Sequence, residues 1–100
     1  MKDEKINSQA RIFIITEILY ENHADGIANK ELANAVGTTQ TNICRDMFLF
    51  EQYGWAERNS HGKWRLSPRF GGIAGQIMKS FQKARLQLSE DEARYATAMQ

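Results

Sequence analysis

Several hallmarks of secreted, membrane-spanning and zinc-binding proteins are scarce or missing in this 100-residue sequence. Cys44 is the single cysteine, so no internal disulfide framework can form, and two histidines leave no zinc-binding set. No apolar run approaches the roughly 20 residues of a membrane helix, and the charged segment 1–5 leads into no signal-type apolar stretch. We therefore expect one domain in a reducing, cytoplasmic compartment, with no metal, cofactor or membrane partner.

Residue patterns of catalysis are missing as well. The sequence has no Ser/His/Asp set and no pair of carboxylates near a histidine. The glycines of segment 71–75 lack the lysine and the preceding strand of a phosphate-binding loop. We therefore expect that the protein is not an enzyme.

Negative charge is absent from one long segment. Residues 58–89 contain seven Lys or Arg and no Asp or Glu, whereas residues 1–57 contain five Lys or Arg and nine Asp or Glu. Such asymmetry suggests a polyanionic partner such as nucleic acid, although basic residues that only solvate a helix give the same count.

What the first half does contain is apolar residues at helical spacing, which predict three helices. The first is capped by Asn7 or Ser8 and ends near Asn22. Its buried face is expected to hold Ile12, Phe13, Ile14, Ile15, Ile18, Leu19 and Tyr20.

A short polar turn separates the next two predicted helices. Asn29 is expected to cap a helix over 30–36 that stops at Gly37, where a left-handed residue commonly ends a helix. Thr39 caps the third helix, which runs over about 40–53 and ends at Gly54. Two helices joined by a short turn that contains glycine predict a helix-turn-helix.

After the third helix the hydrophobic period changes from helical to alternating. Segments 55–58 and 63–66 predict two strands joined by the turn 59–62, with Trp64 and Leu66 on the opposite side from Lys63 and Arg65. A short extended step at 27–28 precedes the second helix. The predicted fold class is mainly α with a small β-hairpin: a winged helix-turn-helix over 1–67 with a C-terminal helical extension over 68–100.

The extension is predicted to contain two helices. The first opens at Ser67-Pro68, has an irregular start because of its glycines, and continues to about Leu88. Ser89 and Glu92 have the spacing of a capping box, which predicts a separate last helix through Met99. Ile73, Ile77 and Phe81 form an apolar stripe on the first of these helices. Together with the last helix this stripe either forms a homodimer interface or folds back on the first helix of the chain as core.

Five stretches together are typical of one group of DNA-binding domains: 30–33, 36–37, 41–45, 49–58 and 62–69. The last, with Gly-Lys-Trp-Arg-Leu at the end of the wing, is the most specific. Residues 12–70, about 59 of 100, thereby resemble the winged-helix domain of IclR-type transcriptional regulators. MarR-type and other winged regulators share part of the pattern. IclR-type proteins usually continue into a large ligand-sensing domain, and so few residues follow here that no small-molecule effector is expected.

The architecture makes double-stranded DNA the expected partner, with the third helix in the major groove. Gln and Asn can pair with adenine and Arg with guanine, whereas hydroxyls, the helix start and the basic wing suit phosphate. For Lys63 and Arg65 a solvated hairpin edge is the other interpretation. The expected DNA-binding residues are Thr38, Thr39, Gln40, Thr41, Asn42, Arg45, Arg58, His61, Lys63 and Arg65.

Two further residues of the third helix carry expectations. Asp46 stands where the family generally has an apolar residue, and it should face away from DNA or restrain Arg45. Cys44 is expected to be a small, semi-buried residue rather than a redox switch.

The sequence thus predicts a small bacterial or phage-encoded transcriptional regulator, most simply a repressor. The alternatives are a winged helix that binds a protein partner and an architectural DNA-binding factor without base specificity. A polar, acid-free opening of the third helix favours DNA, because a protein-binding surface would more often be apolar or acidic there.

Overall fold

The computed structural model describes residues 6–100 as four helices and one two-stranded antiparallel sheet, so the mainly α class with a small hairpin is confirmed. Segment 1–5, in which the sequence predicts no signal peptide, lies outside the described residues. The chain divides into a first unit that ends at Arg69 and a second unit, Phe70–Gln100. The elements are α1 (Ser8–Glu21), α2 (Asn29–Val36), α3 (Gln40–Gln52), β1 (Ala56–Arg58), β2 (Trp64–Leu66) and α4 (Arg69–Ala98).

Helix α1 begins and ends where the sequence predicts. The Asn7 Oδ1 accepts a hydrogen bond from the Ala10 N–H at 2.7 Å and caps the helix. Its buried face is narrower than expected, because Phe13 and Tyr20 are 74% and 57% exposed. At about 100° per residue, position 13 is turned about 200° away from the buried Ile15.

Helix α2 begins one residue earlier than predicted, so the expected capping role of Asn29 is wrong. Ala28 holds the cap position, and the Glu31 carboxylate accepts from the Ala28 N–H at 3.3 Å. Asn29 instead accepts a hydrogen bond from the indole Nε1 of Trp64 at 2.7 Å. The Asn29 side chain therefore makes a tertiary contact with Trp64 instead of the local capping contact that the sequence predicts.

The hairpin is joined to the helices through a short extended segment. Strands β1 and β2 pair antiparallel with Glu57 opposite Arg65, and Ile27 exchanges two backbone hydrogen bonds with Trp64 at 3.0 and 2.9 Å. Gly26 precedes this bridge at φ +79°, and a Cβ there would lie 2.8 Å from the side chains of Asn59 and Lys63. The close approach of the hairpin therefore requires glycine.

The apolar core lies within the first unit and is crossed by one ion pair. Arg11 Nε and Nη2 donate to the two carboxylate oxygens of Asp46 at 2.5 and 2.9 Å, and both residues are buried. Of the two roles expected for Asp46, restraint of Arg45 is therefore wrong, because its carboxylate is buried and binds Arg11. The hydrogen bonds that Arg11 donates to the Asp46 carboxylate raise the pKa of Arg11 above its ordinary value, although burial alone would lower it. The core residues are Ile15, Leu19, Ile27, Leu32, Ala33, Val36, Ile43, Met47, Phe50, Ala56, Trp64 and Leu66.

Helix α4 is one continuous helix of 30 residues rather than the two predicted ones. Ser89 lies inside the helix and does not cap a new one, and the expected irregular start at the glycines is also wrong. Ala, Leu, Gln, Lys, Arg and Glu dominate residues 82–94, and their helix propensity outweighs the local capping signal. None of the α4 residues is buried. Within residues 6–100, no helix combines the length and the apolarity that crossing a membrane would take.

Candidate nucleic-acid interface

The start of α3 is built by three of the predicted DNA-binding residues. The Thr39 Oγ1 accepts from the Asn42 N–H at 3.1 Å, which makes Thr39 the cap that the sequence predicts. The Asn42 Nδ2 donates to the Thr38 Oγ1 at 2.9 Å. The turn before the helix is fixed by Gly37 at φ +84°. These contacts set the direction of the first helical turn and occupy part of the hydrogen-bonding capacity of Asn42.

Three other predicted residues form an exposed polar surface on the first turns of α3. Gln40, Thr41 and Arg45 are exposed. Within residues 6–100 their side chains take part in no hydrogen bond or ion pair. Positions 41 and 45 lie one turn apart on the same side of the helix. The three side chains are therefore available to an external partner.

Within the described residues this surface carries no exposed negative charge, because the first acid of α3, Asp46, is buried in an ion pair. Residues 36–45 contain no acid. Asp46 is 4% exposed and pairs with Arg11, so its charge is compensated inside the core. The exposed face of the first half of α3 consequently carries the charge of Arg45 alone, which suits close approach to an anion.

Cys44 and Phe48 lie next to this surface. The sequence-based expectation is wrong for Cys44, and for Phe48 there is none. Cys44 is exposed, so its expected semi-buried position is wrong. Asn29 Nδ2 lies 3.7 Å from the Cys44 Sγ. Phe48, one turn further along, is 64% exposed and was not predicted as a site residue. Its spacing of four and eight residues from Cys44 and Gln40 is the signal that would have placed it on the same face.

The hairpin turn is organised by Asn59, which sequence reasoning also missed. The Asn59 Oδ1 accepts from the backbone N–H groups of His61 and Lys63 at 2.9 and 3.0 Å. Its Nδ2 donates to the Asp25 carbonyl at 2.8 Å. An Asn in a turn commonly bonds the backbone two residues ahead, which is the local signal for this role. His61 is exposed and Lys63 is half-buried on the turn that Asn59 holds.

The two arginines of the hairpin each have a partner within the chain. The Arg65 Nε donates to the Glu57 Oε2 at 2.8 Å across the sheet. The guanidinium of Arg58 stacks on the Trp64 ring, 4.3 Å from its centroid. Glu57 immediately precedes the acid-free segment 58–89, so the charge count along the sequence does not show that Glu57 neutralises Arg65. His61 and Lys63 make no side-chain ion pair within the described residues.

An apolar groove of the first unit is a second exposed surface. Leu49, Tyr53 and Trp55 are 46%, 70% and 37% exposed. Together with Ile12 and Phe50 they line a shallow groove. Large apolar side chains grouped on a surface commonly mark a contact with another protein.

Comparison with known proteins adds no family assignment. No protein-family model matches this sequence, and no curated protein sequence matches it significantly.

Proposed function

We propose that this protein is a winged helix-turn-helix that binds double-stranded DNA, with α3 in the major groove. In this proposal α2 and α3 form the helix-turn-helix and the β1–β2 hairpin is the wing. The IclR-like sequence pattern of residues 12–70 supports this assignment, and it agrees with a cytoplasmic regulator that is not an enzyme.

The unpartnered polar surface of α3 is the observation that carries the proposal. Gln40 and Arg45 are base-reading candidates, because an amide can pair with adenine and a guanidinium with guanine through two hydrogen bonds. Thr41 suits a base edge or a phosphate. Thr38, Thr39 and Asn42 contribute chiefly by fixing the helix start, since their side chains bond one another and the backbone.

The hairpin supplies contacts with the DNA backbone in this proposal. Lys63 and His61 have no ion-pair partner among the described residues and are the first candidates for phosphate. Arg65 would need to exchange Glu57 for phosphate, and Arg58 would act from its position over Trp64. These contacts position the protein without reading sequence.

A protein-binding winged helix is the second candidate, and the apolar groove favours it. Leu49, Tyr53 and Trp55 offer the kind of apolar and aromatic surface that protein partners bury. The two candidates use different surfaces, so substitutions can separate them. Tyr53→Ala should impair a protein contact and leave DNA affinity unchanged.

Fluorescence anisotropy with a duplex selected from a random pool tests the DNA proposal. The double variant Gln40→Ala/Arg45→Ala removes one amide and one cation from α3. Each bidentate base contact contributes about 1–3 kcal/mol, so we expect site-specific affinity to fall at least about tenfold. Binding by the unchanged protein should weaken steeply as salt rises, because phosphate contacts release counterions.

The matched control also removes one amide and one cation, but from another helix. Lys79→Ala/Gln82→Ala deletes an exposed cation and an exposed amide from α4. Its affinity for the selected duplex should stay within about twofold, because the loss of one surface charge alters binding only weakly near physiological salt. Equal losses in the two double variants, or affinity that does not respond to salt, would overturn the assignment of α3.

A further inference from the structure

Helix α4 carries a regular apolar stripe, and its large side chains from Ile77 onwards are exposed. Its residues are spaced alternately by four and three positions, which is the heptad spacing of a coiled coil. The stripe continues for more than three heptads and is interrupted only by Asp91 at one of its positions. It consists of Ala74, Ile77, Phe81, Ala84, Leu88, Tyr95 and Ala98.

The exposure of this stripe is large. Phe81, Leu88 and Tyr95 are 57%, 61% and 72% exposed. Most helical stability in proteins comes from the packing of an apolar face rather than from propensity. A regular stripe of this length on a 30-residue helix therefore indicates a second helix with the same spacing.

We propose that α4 packs against α4 of a second copy of this chain as an antiparallel two-stranded coiled coil. The interface is the stripe from Ala74 to Ala98. At 1.5 Å per residue this segment is about 36 Å long, which meets the three to four heptads typical of a coiled coil. The proposal does not rest on the proposed DNA binding, since its observations all lie on α4.

Asp91 sets the direction of the pair. A parallel, in-register pair would place the two Asp91 residues opposite each other within the apolar seam, and like charges in that position repel. Asp91 is already bonded on its own helix to Gln87 at 3.2 Å and to Arg94 at 3.0 Å. An antiparallel pair keeps the two carboxylates on separate halves of the interface.

The distribution of charge along α4 agrees with the antiparallel direction. Segment 79–85 contains Lys79, Lys83 and Arg85 without any acid, whereas 90–92 is entirely acidic. Setting Ala84 opposite Leu88 of the second copy brings the basic segment of each helix beside the acidic segment of the other. A parallel pair brings basic beside basic and acidic beside acidic. Segments of opposite net charge attract and segments of like net charge repel, so the antiparallel orientation is favoured.

Light scattering on the full chain after size-exclusion chromatography tests the association. The protein should have about twice the 11.5 kDa mass of one chain. Leu88→Glu should reduce the mass to that of a monomer, because it places a charge in the stripe. Leu86→Glu is the matched control, since both leucines are 61% exposed and only Leu88 lies in the stripe. It should remain dimeric.

The helical content provides a second readout of the same association. Far-UV circular dichroism should show a loss of helix for Leu88→Glu relative to Leu86→Glu, with the near-UV signal of the buried Trp64 unchanged. That combination separates loss of pairing from unfolding of the first unit. A monomeric or tetrameric unchanged protein, or dimers in both variants, overturns the proposal.

Disulfide trapping tests the direction. In a Cys44→Ser background, Ile77→Cys and Tyr95→Cys are made as two separate single-cysteine chains. The antiparallel pair places position 77 opposite position 95 of the second copy, so oxidation of the mixture should give predominantly the mixed disulfide, identified by mass. Prompt disulfide formation within Ile77→Cys alone would require parallel helices and would overturn the antiparallel assignment.

Discussion

The large side chains of the apolar stripes are buried in the first unit and exposed on α4. Leu19 of α1 is 0% exposed, whereas Leu88 of α4 is 61% exposed, although each belongs to a regular apolar stripe. All buried residues among positions 6–100 lie between Arg11 and Leu66. An apolar stripe therefore indicates which side of a helix should be covered, but the covering partner has to come from elsewhere in the chain or from another molecule.

The contrast extends to ion pairs. Asp46 and Asp91 each bind an arginine, but the Asp46 pair is desolvated, whereas the side chains of Asp91 and Arg94 are 40% and 75% exposed. A buried charge depends strongly on its partner, and an exposed charge is solvated by water when the partner is removed. The two pairs should therefore differ strongly in their effect on stability.

Removal of the Asp46 carboxylate should have the largest effect on folding. Asp46→Ala leaves the buried Arg11 without its partner, and we expect the free energy of unfolding to fall by about 3–5 kcal/mol. Asp91→Ala should lower it by no more than about 1 kcal/mol, because water solvates Arg94 and the change removes a charge from the apolar stripe. Urea denaturation followed by far-UV circular dichroism, which reports on the helices of both units, measures both. Comparable losses would mean that burial does not distinguish the two pairs.

A second substitution at the buried pair separates charge from packing. Arg11→Met/Asp46→Leu replaces both ions by apolar side chains of similar size, and such replacements are often neutral or stabilising. Its stability should exceed that of Asp46→Ala by at least about 2 kcal/mol. A double variant as unstable as the single one would show that the packing of this site, rather than an uncompensated charge, causes the loss.

The difference between buried and exposed apolar side chains can be tested with one leucine from the core and one from α4. Leu19→Ala opens a cavity in the core, so the free energy of unfolding should fall by about 2–5 kcal/mol. Leu86→Ala, on α4 and outside the stripe, should change it by no more than about 0.5 kcal/mol. The same urea titration compares them. An effect of Leu86→Ala close to that of Leu19→Ala would contradict the exposed position of Leu86.

Local signals predicted the elements of the first unit because their causes are local. Thr39 caps α3, Gly37 ends α2 in a left-handed conformation, and alternation at 64–66 gives a strand with two buried residues. The mainly α fold with a hairpin could therefore be read from the sequence. The winged helix-turn-helix and its DNA contacts remain a proposal.

The missed features have causes that are distant in the sequence or cooperative. Asn29 bonds Trp64 and Arg11 bonds Asp46, each 35 positions away, and no local pattern identifies either partner. The break expected before Ser89 fails because good helix formers on both sides continue α4. In the candidate site, the exposure of Gln40 and Arg45 followed from helix periodicity, whereas the compensation of Arg65 by Glu57 required knowledge of the strand register.

The hydrogen bond between α2 and the hairpin should contribute less than the buried ion pair. Asn29→Ala leaves the indole N–H of the buried Trp64 without its acceptor, so the free energy of unfolding should fall by about 1–3 kcal/mol. Asn29→Asp retains an acceptor oxygen and serves as the control. Thermal or urea unfolding measures both variants, and an unchanged stability in Asn29→Ala would mean that solvent satisfies the indole.

The cross-strand pair is expected to contribute little to folding. The Arg65 and Glu57 side chains are 39% and 35% exposed, so Glu57→Gln should change the free energy of unfolding by no more than about 1 kcal/mol. If the hairpin contacts phosphate as proposed, the same change frees Arg65 and should raise affinity for duplex DNA several-fold at low salt, with a smaller gain as salt rises. Glu90→Gln on α4 makes the same charge change and is the control. Equal gains from the two variants would mean that net charge, rather than release of Arg65 in the hairpin, governs the affinity.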